Sequence, residues 1–83
     1  MLHELKTLPK YFNAVLEGDK PFEVRKDDRD FQTEDYVNLK EWNEEFTGRN
    51  IVRQITYILG RNEDEKIYVP DGYVILGLSR SDL

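Results

Sequence analysis

The chain contains no cysteine, so no disulfide framework supports its fold, which fits a reducing compartment. Histidine occurs once, at His3. With no cysteine beside it no zinc site is expected, and the "HEL" that carries it lacks the second histidine of a metalloprotease. His3 is read as a surface or capping histidine. The five glycines are scattered, which leaves no P-loop and no dinucleotide fingerprint. Ser79 and Ser81 have neither a nucleophile elbow nor a credible base. No long hydrophobic run is present. The apolar stretch near the end, "YVILGL", is far too short to cross a bilayer. The opening "MLHELKTLPK" has early charges and no apolar run of signal-peptide length. These absences give the expectation of a soluble, cytoplasmic protein with no cofactor, no metal and no membrane partner. Positive charge is also short: 12 Lys and Arg stand against 17 Asp and Glu, for a formal net charge of -5. Affinity for phosphates comes from Lys and Arg displacing counterions, so the overall balance argues against strong non-specific nucleic-acid binding.

What is present describes one small domain over residues 1–83. A chain of this length buries only about 60–65% of its unfolded surface, so the core is thin. Charged residues make up 35% and hydrophobic residues 39%, yet ten aromatics argue against disorder. Residues 2–7 read as a short strand with weak alternation. "PKYFNAVLEG" reads as one helix, with Pro9 in its first turn, Leu8, Tyr11, Phe12, Val15 and Leu16 on one apolar face, and Gly18 as the C-terminal cap. Beyond it the period changes from helical to alternating. Strands are expected at 21–26, with Phe22 and Val24 inward, at 35–42, at 50–59 and at 72–79. Thr47-Gly48 and Gly60-Arg61-Asn62 supply turn chemistry. Glu41, Glu44 and Glu45, and likewise Glu63, Asp64 and Glu65, are expected at hairpin tips. One helix cannot cover both faces of a flat sheet. The class expected is therefore α+β and mainly β: a small curled sheet or pseudo-barrel of about five mostly antiparallel strands, plugged by the N-terminal helix.

The densest charge lies in "GDKPFEVRKDDRDF", residues 18–31, where nine of fourteen residues are charged. If Phe22 and Val24 face one way, Glu23 and Arg25 face the other, about 7 Å apart at Cβ. Lys20 sits just past the helix cap, where it reaches the same region. Arg25 is a planar five-donor fork suited to phosphate, carboxylate or a base edge, and Glu23 accepts only. Such a pair suits a polar heterocycle. On periodicity alone it reads first as a solvated ion pair worth up to roughly 1 kcal/mol. Asp27, Asp28 and Asp30 lack the spacing of a calcium loop. Asp27 and Asp28 are expected to hold a turn through side-chain to backbone hydrogen bonds, and Asp30 to orient Arg29.

Gly18, Lys20, Glu23 and Arg25 reproduce the G-x-K-x-x-E-x-R signature, and with it the chain resembles the ASCH domains, which have a PUA-like fold. "RKDDRDF", "DYVNLKEW", "TGR", "ITYIL" and "GYVILGL" extend the resemblance, in order, to a short stand-alone ASCH-like family of unknown function. One departure is Glu34, where the pattern has glycine before the third strand. The resemblance implies a small pseudo-barrel with a cleft that binds RNA or a nucleotide-like group. Its lining would be Lys20, Glu23 and Arg25, with Lys26 and Arg29 at the rim. Tyr36, Trp42, Tyr57, Tyr68 and Tyr73 are candidates to stack a base.

Some small ASCH proteins resemble amidohydrolases of acylated nucleosides, which pair a lysine with a threonine three residues on. Here Lys20 is present and Glu23 stands where the threonine nucleophile would be, so that activity is not expected. Three readings remain: an RNA- or nucleotide-binding module, a small hydrolase of a modified nucleoside, and a protein-interaction domain.

Overall fold

A computed structural model of the protein describes residues 1–80, so Ser81 lies outside the described residues. Five strands and one helix follow in the order β1 (Leu2–Thr7), α1 (Pro9–Leu16), β2 (Phe22–Lys26), β3 (Tyr36–Trp42), β4 (Phe46–Leu59) and β5 (Tyr73–Leu78). The strands form one mixed sheet in the order β1-β3-β4-β5-β2. β1 runs parallel to β3, and the remaining neighbours are antiparallel. The α+β, mainly β class expected from the pattern is the one observed. The ladder itself is open: β1 and β2 are the two edges and share no strand pairing.

The core draws on every element but one. Leu5 of β1, Phe12 and Val15 of α1, Val37 and Leu39 of β3, Ile51 and Ile55 of β4, and Val74, Leu76 and Leu78 of β5 are buried together with Phe31. β2 adds no apolar side chain to this cluster. On α1 the buried stripe is narrower than expected. Phe12 and Val15 are buried, each worth about 1.5–3 kcal/mol in apolar surface removed from water, whereas Leu8, Tyr11 and Leu16 remain substantially exposed. An eight-residue helix lying on β3 presents only one side to it.

The inward assignment of Phe22 and Val24 is reversed in the structure. Phe22 is 40% and Val24 53% exposed, while Glu23 is only 4% exposed. The cause is the partner strand. β5 carries its buried residues at Val74, Leu76 and Leu78, and the register sets Arg25 opposite Val74 and Glu23 opposite Leu76. Paired residues share a face, so the core face of β5 fixes the phase of β2 and turns its charges inside.

Smaller expectations also shift. Thr47 and Gly48 lie within β4. The turn before it is at Asn43–Glu45, where the Asn43 amide donates to the Glu45 carbonyl at 2.9 Å. Glu44 and Glu45 are thus at a tip, but Glu41 is buried on β3. It accepts from Thr47 Oγ1 at 2.6 Å and from Arg49, and Arg49 in turn lies over Phe12 and donates to Asn13, clamping the β3–β4 hairpin to α1. These donors hold the Glu41 carboxyl below its ordinary pKa, the Arg49 hydrogen bonds acting most strongly.

His3 is buried rather than at the surface. Its Nε2 lies 2.8 Å from Asp35 Oδ2, and its ring meets Phe31 edge-on at 4.7 Å. Asp27 does not cap its own turn. It takes two hydrogen bonds from Arg61, at 2.8 and 2.9 Å, which lower its pKa. Asp30 accepts from Gln32, and the arginine expected to lean on it, Arg29, reaches elsewhere.

Candidate functional site

The site begins where α1 ends. Gly18 adopts φ +84°, with the Asp19 amide bonded to the Ala14 carbonyl and the Gly18 amide to the Val15 carbonyl, both at 3.0 Å. This is a Schellman cap, and the left-handed residue it needs is why glycine stands there. The cap reverses the chain and delivers Lys20 to the start of β2. Lys20 Nζ donates to the Phe22 carbonyl at 2.8 Å and pairs with Glu23 Oε2. Arg25 takes the other carboxylate oxygen, Oε1, through Nε at 3.2 Å and Nη2 at 2.8 Å. Glu23 is therefore a nearly buried carboxylate held between two cations, an arrangement that offsets its desolvation.

Arg25 also reaches across the open edge. Its Nη2 donates to the Lys6 carbonyl at 2.8 Å and to Thr7 Oγ1 at 3.2 Å, both on β1. Arg29 Nη1 donates to the Glu4 carbonyl at 2.6 Å. The two edges that no strand pairing joins are thus tied by guanidinium groups.

A cleft of about 380 Å³ opens at this junction, lined by Lys6, Thr7, Leu8, Tyr11, Lys20, Glu23, Val24 and Arg25. The three residues expected to line a cleft, Lys20, Glu23 and Arg25, come together there. Lys26 is exposed on the opposite side of β2 from Arg25, and Arg29 lies further along the seam. Both line a smaller neighbouring cavity rather than this cleft.

None of the five aromatics proposed for stacking lines the cleft. Tyr11 does, with Lys20 Nζ 5.4 Å from its ring centre and 5.1 Å from that of Phe22. Tyr11 was hidden by its place in the helical apolar pattern. Its phenol is the one polar tip on that face, and this was the available signal. Lys6 and Thr7 were also missed, because nothing in a weakly alternating segment says that it lies beside β2.

The cleft has an acceptor surrounded by donors, three cations against one carboxylate, and an aromatic and aliphatic wall. It suits a planar polar group with an attached anion. Among the described residues no group of three or more His, Asp or Glu is placed to hold a metal ion, and no helix is long and apolar enough to cross a membrane.

The chain is 41% identical, over 69 residues, to an uncharacterized 12.9 kDa protein in the GpA 3′ region of Escherichia phage P2. That alignment takes in 82% of this chain and 63% of the phage protein, so the chain spans less than two thirds of its relative's length. A family model described as "Domain of unknown function (DUF3850)" matches residues 2–78. With nearly the whole described fold inside that match, the protein belongs to the DUF3850 family.

Proposed function

We propose that the protein is a nucleotide-binding module whose cleft takes a nucleotide-like group of RNA. The observation that carries this reading is the buried Glu23 carboxylate held between Lys20 and Arg25 at the floor of a cleft walled by Tyr11. Glu23 accepts from the amino or imino edge of a base. Lys20, Lys6 and Arg25 draw in the phosphate, and the Tyr11 ring lies where a base face can stack. The resemblance of Gly18, Lys20, Glu23 and Arg25 to the ASCH signature supports the same ligand class and a PUA-like architecture. No hydrolytic step is proposed, since Glu23 replaces the threonine nucleophile; its Oε2, which accepts from Lys20 alone, keeps a lone pair for the base edge.

The test is a titration of isotope-labelled protein with the four 5′-mononucleotides and a set of modified nucleosides, following backbone amide shifts. Shifts are expected to cluster at residues 6–11 and 18–25. Tyr11→Ala, a change at a half-exposed side chain, is expected to weaken binding about tenfold, since stacking on one aromatic is worth roughly 1–3 kcal/mol per base. Saturating nucleotide that moves no amide in either segment would sink the proposal.

A further inference from the structure

The cleft is not isolated. A cavity of about 140 Å³ and another of about 430 Å³ continue from it along the β1–β2 seam, and Arg25 lines all three. Six of the chain's twelve Lys and Arg line this run, Lys6, Lys20, Arg25, Lys26, Arg29 and Lys40, against three carboxylates, Glu4, Asp28 and the already paired Glu23. On a chain of net charge -5, that is a basic seam in an acidic molecule.

The outermost cavity holds an arrangement that the cleft does not explain. Lys6 of β1 and Lys40 of β3 are register partners and point to the same outer face. Like charges side by side on neighbouring strands repel. Neither ammonium has an ion-pair partner among the described residues. Both lie over the Phe46 ring, Lys40 at 4.7 Å and Lys6 at 5.9 Å from its centre, and Lys6 also lies 4.9 Å from the centre of Trp42. Phe46 is 50% exposed. Two unpaired cations beside a half-exposed ring are the combination of groups that single-strand binders use along a nucleic-acid backbone.

We infer that the outer face of β1 and β3 is a second nucleotide subsite, in which Lys6 and Lys40 hold a phosphate and Phe46 stacks the neighbouring base, so that the ligand is a single strand rather than a free nucleotide. The inference rests on the nucleotide reading of the cleft. Lys6 faces both spaces and Arg25 joins them, so one strand runs from the Tyr11 wall to Phe46 without leaving the seam.

The experiment is fluorescence anisotropy with a labelled hexaribonucleotide of random sequence, competed by each unlabelled 5′-mononucleotide, across a salt series. The hexamer is expected to bind at least about tenfold more tightly than any mononucleotide, because the second contact is made at high effective concentration. Lys40→Ala is expected to weaken hexamer binding about threefold or more and to lower the salt slope by about 0.7, the value for one phosphate on a single strand. Lys40→Arg should restore both. Phe46→Ala should weaken the hexamer at least about fivefold. All three variants should keep the wild-type circular dichroism and mononucleotide affinity, which separates a lost contact from a lost fold. Mononucleotides that bind as tightly as the hexamer, or variants that bind it as wild type does, overturn the second subsite and leave the cleft reading standing. Inorganic polyphosphate that competes as well as the hexamer also overturns it, by removing the base. If neither mononucleotide nor hexamer binds, both readings fall.

Discussion

At the scale of single residues, Glu34 shows how much strain a fixed backbone can impose on a poorly suited side chain. Its φ is +78°, in the left-handed region where a Cβ costs roughly 1–2 kcal/mol. The conformation is enforced from both sides. The Glu34 amide donates to the Ile55 carbonyl at 2.8 Å, and its own carbonyl accepts from Gln54 Nε2 at 3.2 Å. The side chain is exposed. Glu34→Gly therefore removes strain without removing a contact, while the freer unfolded chain takes back part of the gain. The expected result is a net stabilisation of about 0.5–1 kcal/mol, read from urea unfolding with an unchanged m-value. The sequence resemblance had marked this position as one where glycine belongs, and the backbone supplies the reason.

At the scale of elements, Asp35 ties the start of β1 to the sheet. Standing just before β3, it takes His3 Nε2 through Oδ2 at 2.8 Å and the Met1 ammonium through Oδ1 at 3.1 Å, and the Gln32 amide also donates to it. Led by the His3 hydrogen bond and opposed by desolvation, these partners lower its pKa to about 2. An unfolded aspartate titrates near 3.9. A carboxyl depressed in the fold contributes stability that is whole above about pH 4 and is lost as pH falls toward 2. Asp35→Asn should be less stable than the wild type at neutral pH, and the gap should close between about pH 4 and pH 2. Paired urea titrations across that range measure it. Other lowered carboxyls, such as Asp27 and Glu41, titrate in both proteins and cancel in the difference. A gap that stays constant with pH would show that the Asp35 charge does not contribute to stability.

Element types were readable because the period of apolar residues changes at Gly18 and stays alternating in the strands. The facing of β2 was not readable. Its apolar residues, Phe22 and Val24, obey the usual alternation, but the strand takes its phase from β5, whose "YVILGL" is apolar on both sides and so hides which side is the core. The same ambiguity concealed the parallel pairing of β1, the burial of His3, and the nearness of Lys6 and Thr7 to Arg25. All four depend on which strands become neighbours, and periodicity within one strand carries no information on that. That Lys20, Glu23 and Arg25 lie side by side follows from their place within six residues on one cap and strand, where local geometry suffices, whereas their cleft role came from the resemblance, since periodicity alone reads them as a solvated pair.

At the scale of the whole molecule, the sheet is open, and side chains from β2 and the loop after it reach the β1 edge. Arg25 and Arg29 supply donors to the β1 carbonyls that a neighbouring strand would otherwise supply. The two are not equivalent. Arg25 ties Glu23, Lys6 and Thr7 together, with its side chain 23% exposed. Arg29 makes one bond to the Glu4 carbonyl from a largely open position and lies 3.9 Å from Asp28. Removing Arg25 leaves the buried Glu23 carboxylate with Lys20 alone, and breaking a buried ion pair costs about 3–5 kcal/mol, less where one partner is partly hydrated. Arg25→Ala should lower unfolding stability by about 2–4 kcal/mol, whereas Arg29→Ala should cost no more than about 1 kcal/mol. Urea unfolding of the two variants side by side tests this ordering. Equal, small losses would mean that the gap between β1 and β2 needs no bridge. The same asymmetry fixes how the cleft is probed. A binding defect in Arg25→Ala mixes lost contact with a loosened seam, while Tyr11 in the cleft and Lys40 and Phe46 in the outer cavity carry none of the hydrogen bonds that run from Arg25 and Arg29 to β1.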